Sequence, residues 1–170
     1  DEEEEFAMQE AAQRILPAHG LFRYEVSNYA KPGCACRHNV GYWTRRSYIG
    51  LGCAAHSLVG NVRRANASDL DAYLAGAPAA EQETLAPQDA AFEELMLGLR
   101  MTEGVRLSAR AWSLFSPGIA RFCQRGLMCA RGRRVWLTAR GMDVMNAVLA
   151  ELMPSRGAFS ARPGMGRARP

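Results

Sequence analysis

The sequence predicts an α/β chain whose second part is a small winged-helix-like α+β unit. Three observations carry this. Between Glu2 and Asn28 a helical period gives way to a period of two, which is the order of the second half of a βαβ unit. Ala75 to Pro87 (AGAPAAEQETLAP) is rich in small residues with two prolines and reads as an interdomain linker. Beyond it come helical segments, a hairpin and a final helix, in winged-helix order.

Each element has its own signal. Glu2 to Leu16 places Phe6, Ala7, Glu10, Ala11, Arg14 and Ile15 at helical spacing, with acids in the first turn where the helix dipole favours them. Pro17 to Gly20 should end that helix, Gly20 taking the left-handed conformation. Leu21 to Asn28 alternates Phe22, Tyr24 and Val26 with Arg23, Glu25 and Ser27, which predicts a strand. A helix followed by a strand in a parallel sheet requires a preceding strand, and none stands before Glu2 in this sequence. Ser47 to Cys53 (SYIGLGC) is a second candidate strand, with Gly50 and Gly52 marking a bend or a close approach by a ligand. Two strands and one helix cannot cover a parallel sheet, so this half is expected to need partner strands.

Asn66 to Leu74 predicts a short helix with Ser68 as its cap. Gln88 to Arg100 is amphipathic, with Phe92, Leu95, Met96 and Leu99 on one face, and Gly104 follows it. Ser108 to Phe115 and Pro117 to Arg125 read as two helices, stopped by Gly126. Leu127 to Ala130 and Arg134 to Leu137 form a hairpin about Arg131-Gly132-Arg133. Thr138 caps a last helix with Met142, Met145, Val148, Leu149 and Leu152 inward. The resulting domain boundaries are 1–76, 77–153 and a basic tail, 154–170, whose aperiodic Arg/Pro/Gly/Ala composition predicts disorder.

Composition narrows the function classes. An apolar content of 48% with 22% charged residues is that of a folded domain, which excludes global disorder. No apolar run approaches the roughly 20 residues of a membrane span, and the acidic opening is not a signal peptide. The lack of an initiator methionine predicts a piece of a longer protein. Five cysteines without an export signal read as cytosolic thiols rather than a disulfide framework. The net charge of +4 is split between an acidic start and an arginine-bearing end. Of 21 basic residues only Lys31 is a lysine, a bias of the kind that genomic base composition produces as readily as phosphate recognition does.

The chemistry concentrates in Tyr24 to Ser57. Cys34, Cys36 and His38 form a C-x-C-x-H cluster that could ligate zinc with Cys53 or His56. The spacing is not the C-x2-C of zinc knuckles, and small cysteines in a turn is the preferred reading. No nucleophile elbow, phosphate-binding loop or H-E-x-x-H motif is present. His38 stands in a loop opened by Lys31-Pro32-Gly33, beside Asn39, which could orient it, and Tyr42 and Trp43, which could flank a planar ring. A neutral imidazole in that setting suits haem iron, while a packing or capping histidine is the blander alternative.

Three ordered stretches carry a resemblance: YEVSNYAKPGCACRHNVGYW, SYIGLGCAAHS and FEELMLGLRMTEGV. From Glu2 to Met153 the chain resembles the C-terminal portion of the HemW-like radical SAM haem chaperones, relatives of the oxygen-independent coproporphyrinogen III oxidases. The HNxxYW haem signature of that family is matched by His38, Asn39, Tyr42 and Trp43. The resemblance implies the C-terminal part of a partial (β/α)6 barrel over residues 1–76 and a HemN C-terminal-like winged-helix domain over 77–153. It implies haem with His38 on the iron, and S-adenosylmethionine near Gly50, Gly52 and His56; a family glycine near position 54 is Ala54 here. It also implies a [4Fe–4S] cluster in the full-length parent. The CxxxCxxC motif that would hold that cluster does not occur among Cys34, Cys36, Cys53, Cys123 and Cys129, so this piece is not expected to be catalytic alone.

The expected partners are haem-acceptor proteins, with respiratory enzymes as candidates. Cytoplasmic location, at most peripheral membrane contact and no nucleic acid are expected. The first rival function is coproporphyrinogen III oxidation, disfavoured because the true oxidases differ where HNVGYW stands. The second is DNA binding by a winged helix through Arg131, Arg133, Arg134 and Arg140, for which a solvated arginine face is the simpler reading.

Overall fold

The computed structural model describes residues 2–153, and the tail expected to be disordered lies outside them. Helix α1 (Glu2–Ala18) runs through Pro17 in its last turn, two residues past its expected end. It closes with the Gly20 N–H on the Pro17 carbonyl (3.0 Å) and the Leu21 N–H on the Leu16 carbonyl (3.1 Å). Gly20 sits at φ 75°, the left-handed value this closure requires.

The eight-residue strand expected after α1 is only two residues long. Strand β1 (Phe22–Arg23) pairs antiparallel with β2 (Tyr29–Ala30), Phe22 opposite Ala30. The chain turns between them because the buried Glu25 carboxylate accepts from the Ser27 N–H (2.9 Å) and Asn28 Nδ2 (2.6 Å), while Arg23 Nε donates to the Val26 carbonyl (3.0 Å). Alternation alone could not distinguish this tight turn from a strand.

Helix α2 (Arg37–Trp43) occupies the stretch read as a loop. Strands β3 (His56–Val59) and β4 (Val62–Ala65) then form a hairpin, followed by α3 (Leu70–Leu74) and β5 (Glu81–Thr84). The sheet order is β3-β4-β5, all antiparallel. Ser47–Cys53, expected as a strand, contributes only the Tyr48–Leu58 bridge. Helix α3 is capped by Asp69, whose Oδ1 accepts from the Ala72 N–H at 2.8 Å, not by Ser68. Residues read as a linker include β5, whose side chains are all exposed. Its pairing sets Glu83 opposite Arg63, an opposite-charge cross-strand match that an apolar pattern cannot reveal. Among the described residues every strand pairing is antiparallel.

The second half runs α4 (Pro87–Gly98), β6 (Val105–Arg106), α5 (Ala109–Gln124), β7 (Met128–Arg131), β8 (Arg134–Leu137), α6 (Ala139–Asp143) and α7 (Met145–Leu152). The sheet order is β6-β8-β7. The two helices expected between 108 and 125 are one. Ala111, Phe115, Ile119 and Phe122 bury a continuous face across Pro117, and that packing outweighs the hydrogen bond the proline removes. The single last helix is in turn broken at Val144, after Thr138 Oγ1 has capped α6 through the Gly141 N–H (3.1 Å).

The main core lies in this half: Leu95, Leu99, Leu107, Ile119, Phe122, Met128, Val135 and Val148 are nearly inaccessible. Gly104, at φ 67°, admits no side chain, since a Cβ there would lie 2.7 Å from the Val135 carbonyl carbon. The two halves are joined by a smaller cluster of Leu58, Leu85 and Ala90 and by the Glu25–Met101 bridge. These contacts set α2 against α4, which positions the site.

Candidate functional site

Helix α2 carries two side-chain pairs at i,i+4 spacing, and they face different ways. His38 and Tyr42 form one. Their rings meet edge to face at 4.8 Å, and Tyr42 meets Tyr48 in the same manner at 4.7 Å. Both His38 and Tyr42 are exposed. Together with Arg37, Gly41, Arg46 and Ser47 these rings border a cleft of about 150 Å³. That is below the roughly 300–1,000 Å³ of pockets that enclose a small molecule. The cleft offers an edge or an open face, not an enclosure.

Asn39 and Trp43 form the second pair, directed into the protein. Asn39 Nδ2 donates to the Tyr24 hydroxyl at 3.2 Å, so it ties α2 to the β1–β2 turn and is not the orienting partner of His38. The half-buried Trp43 ring is covered by the Arg100 guanidinium, 4.4 Å from the ring centroid. Trp43 therefore packs toward the second half and does not stand beside Tyr42. The motif residues are brought together on one helix, but only His38 and Tyr42 share a face open to a ligand. Replacing Arg100 by methionine keeps the aliphatic cover but removes the cation–π contact. The expected destabilisation is about 0.5–2 kcal/mol, read from the urea midpoint.

The C-terminal end of α2 is held more firmly. The Arg46 N–H reaches the Gly41 carbonyl (2.9 Å) and the Arg45 N–H the Tyr42 carbonyl (3.0 Å), with Arg45 at φ 56° where glycine is usual. Arg45 Nε donates to Glu93 Oε2 at 2.6 Å and Nη1 to Asn61 Oδ1 at 3.2 Å, while Arg63 pairs with the other Glu93 oxygen. Glu93 is 7% exposed, an acid inside the apolar face of α4. Burial pushes the Arg45 guanidinium below its ordinary value, partly countered by the nearby Glu94 carboxylate. The direct ion pair is with Glu93, and geometry gives it the larger role in holding the helix.

Gly50, Gly52 and His56 belong to a neighbouring loop braced by side chains. Gly50 N–H donates to Ser57 Oγ (3.0 Å), Gly52 N–H to the Tyr73 hydroxyl (3.0 Å), and Asn66 Nδ2 to the carbonyls of Gly50 (3.1 Å) and Gly52 (2.9 Å). A Cβ on Gly50 would collide with the His56 backbone, so the close approach at Gly50 is to the chain itself. Gly52 is required by its φ of 109°. Ala54 holds φ 57°, a left-handed conformation in which a glycine would be unstrained. The exposed His56 side chain borders a separate cleft with Tyr48, Arg63, Arg64, Glu81 and Glu83.

Among the described residues no group of three His, Cys, Asp or Glu side chains is placed to hold a metal ion, and Cys34, Cys36 and Cys53 are exposed free thiols. Of the arginines considered for a DNA wing, Arg134 is engaged by Glu103, and Arg140 belongs to α6, not to the hairpin strands. Sequence reasoning missed Arg45, Glu93 and Arg100. The one available signal was a lone acid among the buried positions of α4. No helix among the described residues is long and apolar enough to cross a membrane.

Residues 85–144 match the HemN C-terminal domain family. The chain is 31% identical over 167 residues to the haem chaperone HemW of Bacillus subtilis, a match covering 89% of this chain and 44% of that protein. It is 36% identical over 143 residues to HemW of Mycobacterium tuberculosis (81% and 36% covered). It is also 35% identical over 123 residues to a zebrafish protein named radical S-adenosyl methionine domain-containing protein 1, mitochondrial (65% and 27% covered). Its fold resembles that of Escherichia coli coproporphyrinogen III oxidase (HemN), a radical SAM enzyme, with a TM-score of 0.60 at 15% identity over 84% of this chain and 39% of that one. The chain thus spans less than half the length of the curated relatives it matches. The chain is thus similar to the HemW chaperones over most of its length, and its residues 85–144 match the HemN C-terminal domain family.

Proposed function

We propose that this chain is the haem-binding portion of a HemW-type chaperone that hands haem to acceptor proteins. The observation that carries the reading is the exposed His38 imidazole set against Tyr42 on the outward face of α2, within a complete HNxxYW motif. An accessible imidazole with an aromatic neighbour fits a haem face, and the shallow cleft suits cargo that must leave again. When bound, haem would supply an iron able to take a nitrogen ligand. His38 offers that nitrogen, Tyr42 and Tyr48 pack beside it, and Asn39, Trp43 and Arg45 keep the helix in place.

On the same reading residues 1–76 complete a radical SAM partial barrel in the parent protein, 77–153 form a winged-helix-like unit, and Gly50, Gly52 and His56 border the S-adenosylmethionine side. The helix–strand–helix–hairpin–helix order from α4 to α7 supports the second assignment. The five cysteines of this chain lack the CxxxCxxC spacing, so its residues do not fit a [4Fe–4S] cluster. Cytoplasmic haem acceptors, respiratory enzymes among them, are the proposed partners. Coproporphyrinogen oxidation is the weaker reading, because the likeness to the oxidase is one of fold.

Haem titration followed at the Soret band tests the proposal. His38→Ala is expected to weaken binding by about tenfold or more while leaving stability within about 0.5 kcal/mol, since His38 is exposed. His19→Ala should bind as the unaltered chain does. Equal binding by the His38 variant would remove His38 from the site.

A further inference from the structure

A third cleft lies on the sheet of the C-terminal half, apart from α2. It has a volume of about 550 Å³ and is lined by Thr102, Glu103, Arg106, Arg131, Arg134 and Trp136. Each of the three strands sends one arginine to it: Arg106 from β6, Arg134 from β8 and Arg131 from β7. The half-buried indole of Trp136 lies on the central strand. From Arg100 to Met153 the sequence holds nine arginines against three acids, Glu103, Asp143 and Glu151. Glu151 is taken by Arg125, at 2.8 Å. Arg106 and Arg131 have no ion pair among the described residues.

Arg134 is held in two ways. Its Nε donates to the Glu103 backbone carbonyl at 3.0 Å and its Nη2 to the Glu103 carboxylate at 3.2 Å. The Glu103 side chain is 81% exposed, so its carboxylate contact is solvent-screened and weak. The carbonyl contact keeps the guanidinium aimed when that carboxylate swings away. We propose that this cleft docks an acidic segment of a partner protein, and that Glu103 is the internal carboxylate the segment displaces. Three planar guanidinium forks around an indole suit carboxylates on a flexible chain, which charge-assisted bidentate hydrogen bonds hold and aromatic stacking orients. A nucleic-acid duplex is the poorer fit. It needs phosphate contacts spread along a long row, whereas these arginines stand three abreast on neighbouring strands and line a single cleft. The proposal does not depend on haem binding.

Fluorescence anisotropy of a labelled eight-residue polyglutamate peptide against the full chain tests it. Arginines beyond residue 153 contribute a background common to every variant, so the comparison is between variants. Arg106→Glu with Arg131→Glu should weaken binding by about tenfold or more, and Glu103→Gln should tighten it about threefold, both effects fading with salt. Circular dichroism checks that the double variant folds, and Glu103→Gln, a conservative exposed change, supplies a readout independent of it. Equal affinities across the three proteins, or tighter binding of a labelled DNA duplex that the double variant loses in parallel, would overturn the assignment.

Discussion

Replacing Glu93 by alanine is expected to lower the unfolding free energy by about 3–5 kcal/mol, the range for removing one partner of a buried ion pair. The Glu93 side chain is 9% exposed and the Arg45 side chain 14%, so neither charge can return to water without a rearrangement. With the carboxylate gone, Arg45 would be left buried in a left-handed backbone conformation that an L-residue adopts only under constraint. Its one remaining side-chain hydrogen-bond partner among the described residues would be Asn61. Arg63→Ala is the control. That side chain is 44% exposed, so solvent screening holds its loss to under about 1 kcal/mol. Urea denaturation of the two variants separates the contributions, and equal midpoints would show that the Arg45 half of the network adds nothing. Because Arg45 ends α2, Glu93→Ala should also weaken haem binding without touching His38.

Gly50→Ala is expected to destabilise the chain by about 1–3 kcal/mol or more, as overpacking does in an unyielding site. The new methyl group would lie 2.8 Å from the His56 carbonyl carbon and 2.9 Å from its nitrogen, both backbone atoms of β3 that cannot rotate aside. Relief requires lifting the loop from β3, which breaks the Gly50–Ser57 and Asn66–Gly50 hydrogen bonds together. Hydrogen exchange at Ser57 to Val59 should therefore accelerate. Gly52→Ala meets no atom within contact distance and is strained only by its positive φ, about 1–3 kcal/mol. Its effect should stay local to the loop. If both variants leave exchange in β3 unchanged, the glycine at 50 is not there for chain packing, and the ligand-facing role alone would account for it.

Much of the C-terminal half was legible because its elements are held by apolar faces. Phe92, Leu95 and Leu99 repeat at helical spacing and are buried, and the hairpin about Gly132 lies where the turn signal put it. The same logic explains an error there. Pro117 suggested a helix boundary, yet Ala111, Phe115, Ile119 and Phe122 form one buried stripe across it. The N-terminal half was less legible because polar contacts shape it. Glu25 bends an alternating run into a turn, and β4 pairs with β5 through arginines and glutamates that carry no apolar period.

The site divides along the same line. By itself the sequence determined the motif and its residue types, because the His38-Asn39-Val40-Gly41-Tyr42-Trp43 order is local. Only the tertiary structure decided that these residues form a helix, and so only it separated their roles. At a helical period positions 38 and 42 share one face and positions 39 and 43 another, and the packing of α4 and the β1–β2 turn selects which face is covered. Glu93 lies 48 residues from its partner Arg45, and Arg100 covers Trp43 across the same contact, so these pairs join only when the chain folds and no reading of spacing could have assembled them.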